Sequence, residues 1–132
     1  MTLEELERML PNGLHDATLR ALTRDFKNEA LALEVSILVG VPDDPPEERD
    51  LYRDALISFT GVKVFTIDPP DAASAFQTAG NLSFHIDQCG LGASTSELER
   101  SLGESLTTYS IYVLDWESEM KLTAADIIFG WA

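Results

Sequence analysis

Cysteine is nearly absent from this chain: Cys89 stands alone, so no intramolecular disulfide can form and an oxidising compartment is not indicated. Basic residues are also scarce. Nine Lys and Arg stand against 23 Asp and Glu, a formal net charge of −14. Affinity for nucleic-acid backbones comes mainly from Lys and Arg, so this balance excludes a cationic phosphate-reading surface and any nucleic-acid partner of that kind. It equally excludes a polybasic attachment to anionic membrane. Long hydrophobic runs are missing too. The most apolar stretch, Ala30 to Val41, is broken by Glu34 and Ser36 and is far shorter than the roughly 20 residues of a membrane span. The opening Thr2-Leu3-Glu4-Glu5-Leu6-Glu7 is acidic and lacks the layout of a signal peptide. A cytoplasmic protein without membrane association is the expectation. Neither a GxSxG elbow, a phosphate-cradling glycine loop nor an HExxH helix occurs, and no internal repeat or linker divides the 132 residues, a length suited to one domain.

The chain's periodicities are clear. Thr2 and Glu5 form a capping box ahead of Leu3, Leu6, Met9 and Leu10 at helical spacing, and Pro11-Asn12-Gly13 ends that short helix. The period then changes to two. Leu14 to Arg24 predicts a strand with His15, Ala17, Leu19 and Ala21 on one face and Leu22 on the other, and Lys27-Asn28-Glu29 predicts a hairpin tip. In the return strand Leu31, Leu33, Val35, Ile37 and Val39 face the core, while Ala32, Glu34 and Ser36 face out. Pro42 to Asp50, with three prolines and five carboxylates, predicts a solvated acidic loop. Further strands are expected over Leu51 to Ile67 with a bend at Gly61, and over Leu82 to Cys89, Leu106 to Leu114, Glu119 to Thr123 and Asp126 to Trp131. Brief helical turns are expected over Ala72 to Ala79 and Ser94 to Leu102. About seven strands with short helical pieces predict an α+β domain, mainly antiparallel sheet, either one curved sheet or two packed ones.

His85, Asp87 and Cys89 alternate along a predicted strand and so share a face. Imidazole, carboxylate and thiolate are all ligands for zinc or a related metal. Same-face side chains nevertheless spread by about 6.5–7 Å per two residues, so His85 and Cys89 reach one ion only if the strand bulges. A polar strand face with Cys89 acting as a small hydrophobe accounts for the same residues, and no cofactor is expected. His15 is expected at the core rim with a hydrogen-bond partner, and in a strand Asp16 points to the opposite face and cannot orient it.

The acidic excess points to a basic protein partner, because charge of one sign speeds encounter with its opposite. The candidate contacts are Asp43, Asp44, Glu47 and Glu48 in the proline-rich loop and Asp115, Trp116 and Glu117 in a predicted turn. Solubility alone also accounts for such an excess. An apolar strand edge allows a homodimer instead.

Leu14-His15-Asp16-Ala17, together with Tyr52-Arg53-Asp54-Ala55 leading into Phe59-Thr60-Gly61-Val62, resembles a pattern in small uncharacterised bacterial proteins. Some of those are similar to immunity proteins of polymorphic toxin systems. The resemblance covers about half the chain and carries no catalytic residue. It implies a bacterial source, a β-rich fold with a short N-terminal helix and no established activity, and it supports a binding protein. The two functional expectations are therefore a non-enzymatic acidic binding module and a small metal- or ligand-binding enzyme using His85, Asp87 and Cys89.

Overall fold

The structure, a computed structural model, describes residues 1–67, 84–91, 106–113 and 118–132, the strand 84–91 and Ser118 by backbone alone. The expected turns over Ala72 to Ala79 and Ser94 to Leu102 lie outside the described residues. Helix α1 runs Leu3–Met9, and Thr2 and Glu5 make the reciprocal capping box their spacing predicts. Leu3 and Leu6 are buried, but Met9 is 62% exposed and leaves the apolar stripe to Leu10. The Asn12 side chain then donates to the carbonyls of Leu38 and Gly40, at 3.0 and 2.8 Å, and ties the turn after α1 to the sheet.

The alternating segments become β1 (Thr18–Asp25), β2 (Ala30–Leu38), β3 (Tyr52–Thr60), β4 (Val64–Ile67), β5 (Phe84–Leu91), β6 (Thr107–Val113), β7 (Ser118–Ala124) and β8 (Asp126–Trp131). The count among the described residues is eight because the run expected over Leu51 to Ile67 splits at Gly61, whose φ of 63° turns the corner. All pairings are antiparallel. β1, β2, β3 and β8 form one sheet, β4 to β7 a second, and Thr18 and Leu19 of β1 join them by pairing with His85 and Phe84 of β5. The order across both is β4-β7-β6-β5-β1-β2-β3-β8. This is the α+β, mainly antiparallel architecture that the periodicities imply.

Both sheets and α1 share one core. Leu31, Leu33, Val35 and Ile37 of β2 join Ile57 and Phe59 of β3, Ile111 and Val113 of β6, Met120 and Leu122 of β7, and the two α1 leucines. The rings of Phe59 and Tyr109, 5.9 Å apart, bridge the sheets. Complete burial of a side chain such as Phe59 contributes about 1.5–3 kcal/mol. Thr108 and Thr123 are buried but satisfied, since their hydroxyls meet at 2.6 Å across the β6–β7 pairing.

Four local expectations are corrected. The first strand begins at Thr18, and residues 14–16 are turn, Asp16 having a φ of 64°. Within β1, Leu19 pairs with Val35 and Ala21 with Glu34, leaving Arg20 as an extra residue. That bulge flips the alternation, so Leu22 packs against the core where Ala21 was expected to face it. Ser36 is buried although the alternation sends it outward; its short side chain lies between Thr18 and Asp54 on the flanking strands. Finally, the acidic loop contains a short helix, α2 (Pro46–Arg49), with proline in its first turn, where its missing N–H is harmless. No helix among the described residues is long and apolar enough to cross a membrane.

Candidate functional site

The nominated residues that the structure describes lie on two elements, His85, Asp87 and Cys89 on β5 and Asp43, Asp44, Glu47 and Glu48 in the loop that carries α2. His85, Asp87 and Cys89 all fall on β5, and the β5–β6 register shifts between Ile86 and Gln88, putting Asp87 at the irregularity. Their side chains lie outside the described residues, as do Asp115, Trp116 and Glu117 altogether. Among the described residues, no three His, Cys, Asp or Glu side chains group as a metal site.

The acidic loop is held down rather than splayed into solvent. The Asp44 carboxylate accepts the Val41 N–H at 2.9 Å, and the Arg49 side chain donates to the Asp44 carbonyl at 2.9 Å. Gly40 is buried beneath α2, where a Cβ would collide with the backbone of Glu48 and Arg49. One of the four nominated carboxylates thus organises its own loop, while Asp43, Glu47 and Glu48 remain exposed.

His15 departs from expectation most clearly. Because residues 14–16 turn, its side chain is 65% exposed and stands 3.7 Å from the Asp16 carboxylate, the neighbour that strand geometry would have sent to the opposite face. Glu7 sits close by. Half-buried, it accepts the Leu14 N–H, and burial raises its pKa above the ordinary value of 4.5 despite the Leu14 hydrogen bond and the pull of His15.

A groove that no single motif announces lies on the outer face of the β1-β2-β3-β8 sheet. Its volume is about 590 Å³, and its lining includes Arg20, Glu34, Asp54, Leu56, Ser58, Ile128, Gly130 and Trp131. Register explains the gathering. Glu34 pairs with Leu56 and Leu56 with Gly130, so β2, β3 and β8 contribute one row across the sheet. Ser58 and Ile128 pair in the next row, and Asp54 lies two residues along β3 on the same face. Leu56 is 42% and Ile128 59% exposed. At Gly130 a Cβ would meet nothing within 4 Å, so the gap in the row is open space.

Among the described side chains that line the groove, charge is carried by two carboxylates and one guanidinium. Arg20, carried on the bulge of β1, reaches Asp54 at 3.6 Å, with both side chains more than half exposed. Such a pair contributes about 0–1 kcal/mol and is readily exchanged. Glu34 makes no ion pair among the described residues. Phe129 and Trp131 belong to the other face of β8, in register with Ile57 and Ala55: their rings meet edge-on, 5.0 Å between centroids, and the Arg53 guanidinium lies 4.2 Å over the Trp131 ring.

No protein-family model matches the chain, and no curated protein matches it. Among solved structures it is similar to one described as an uncharacterized protein from Neisseria gonorrhoeae. The two are 11% identical over 87% of this chain and 90% of that one, with a TM-score of 0.46.

Proposed function

We propose that the chain is a non-enzymatic binding module, immunity-like in role, that receives a basic protein partner on the outer face of β1-β2-β3-β8. The observation that carries this reading is the groove itself: exposed Leu56 and Ile128 on its floor, with Glu34 and Asp54 beside them. An exposed apolar patch rimmed by polar groups is characteristic of protein contacts. A net charge of −14 favours a basic partner over a second copy of the chain, which brings the same charge. We place the contact on the sheet face and not on the acidic loop, where Asp43, Glu47 and Glu48 also stay exposed, because the face sets exposed apolar side chains beside its carboxylates.

Capture from a bacterial lysate, at low salt and along a salt series, tests the reading. A basic protein is retained by the native chain, released as salt rises, and not retained by the groove-filling Gly130→Leu variant. Retention of no basic protein, or equal retention by that variant, overturns the proposal.

The register shift between Ile86 and Gln88 does not favour a metal-dependent reading at His85, Asp87 and Cys89, because one extra residue reverses the alternation between His85 and Cys89. The test of that reading is metal analysis of untagged protein. Bound zinc and a rise in melting temperature with zinc support it; neither appearing removes it.

A further inference from the structure

Resting on the binding reading above, we propose that the groove contains a subsite for one lysine or arginine side chain of the partner protein. The aliphatic stem lies over Gly130 and against Leu56, and the cation reaches Glu34 and Asp54.

Three features converge. The gap is real space: nothing lies within 4 Å of where a Gly130 Cβ would be. Its walls are apolar, Leu56 being the direct cross-strand neighbour of Gly130, and Ile128 lying two residues away on the same face of β8. The carboxylates stand at a suitable distance. Strands are about 4.8 Å apart and same-face residues about 6.5–7 Å apart along a strand, which places Glu34 and Asp54 within about 10 Å of Gly130. A long basic side chain laid across Leu56 spans that distance, burying its stem while its head stays at the polar rim.

Charge chooses the occupant. Among the described side chains the groove holds Glu34 and Asp54 against Arg20, and the exposed Arg20–Asp54 pair yields to an incoming cation with little loss. A neutral apolar side chain fills the gap but covers Glu34 without pairing it, which costs binding energy. An acidic side chain adds repulsion. A second copy presents its own Glu34 and Asp54 along with the same overall charge.

The test is a titration of the isotope-labelled full chain, followed by amide chemical shifts. The probes are N-acetyl-arginine methylamide, its norleucine analogue and its glutamate analogue. Arginine is expected to shift the amides of Leu56, Ser58, Ile128 and Gly130 saturably, and the other two are not. Glu34→Gln combined with Asp54→Asn weakens the arginine effect about tenfold, and Gly130→Leu removes it. The subsite is overturned if norleucine or glutamate gives the same shifts, if Gly130→Leu leaves the arginine shifts intact, or if those shifts centre on Asp43 to Asp50. Lysate capture separates this from the broader reading. A partner held by the Glu34→Gln/Asp54→Asn chain as tightly as by the native one, yet lost with Gly130→Leu, overturns the cation subsite and leaves the binding module standing. A partner lost in neither variant overturns both.

Discussion

Leu56 on β3 pairs directly with Gly130 on β8, so an exposed leucine stands beside a position with no side chain. Glycine weakens a strand interior through its conformational freedom, by about 0.5–1 kcal/mol relative to alanine. Gly130→Ala is therefore expected to raise stability by up to about 1 kcal/mol, measured by urea denaturation. A loss of stability would show that the strand conformation requires glycine and that the gap is structural.

The paired hydroxyls of Thr108 and Thr123 give a second prediction. Thr123→Val leaves the buried Thr108 hydroxyl without its partner, a loss of about 1–3 kcal/mol. Replacing both by valine removes the unsatisfied group. The double variant is expected to be more stable than either single one, as a double-mutant cycle in urea will show.

Stability at acid pH should report on Glu7. Burial disfavours its charged form and raises its pKa, with the Leu14 N–H and His15 opposing the rise. Folding therefore favours proton uptake here. The stabilising contribution is fully present below the ordinary value of 4.5 and is lost as pH rises through the higher folded-state value. Glu7→Gln keeps an acceptor for Leu14 and removes the charge. Its melting temperature should exceed that of the native chain at neutral pH, with the difference shrinking as pH falls below the ordinary glutamate range. A difference that grows on acidification contradicts this account.

Gly40→Ala should be costly for a steric reason. The added methyl meets the backbone of Glu48 and Arg49, which cannot rotate away. Overpacking of this kind costs about 1–3 kcal/mol. Hydrogen exchange should quicken first over residues 41–50, because the Gly40 and Val39 N–H groups both donate to the Leu51 carbonyl that closes the loop.

The elements were largely legible from sequence, because alternation marks each strand and the capping box marks α1. Phase was lost where a local feature overrode the period. The bulge at Arg20 cannot be seen in one strand alone, since it exists only against β2. Residues 14–16 alternate like a strand yet turn, with Asp16 at positive φ. The groove was hidden for a different reason. Nothing in either run marks Leu56 or Ile128, and only the pairing of β3 with β8, far apart in the chain, sets them side by side with Glu34 and Asp54. One signal was available: Ile127, Ile128, Phe129 and Trp131 are apolar on both faces of the last strand, unusual for a strand with one face left to water.

Site-resolved crosslinking measures most directly whether this face is the contact. A photoreactive residue replaces Leu56 in one chain, Asp43 in a second and exposed Ile67 of β4 in a third. Each is irradiated with the lysate at low salt. The account predicts one basic protein joined through position 56, lost at high salt, and not joined through 43 or 67. Crosslinks of equal yield from all three positions, or from position 43 alone, would contradict it.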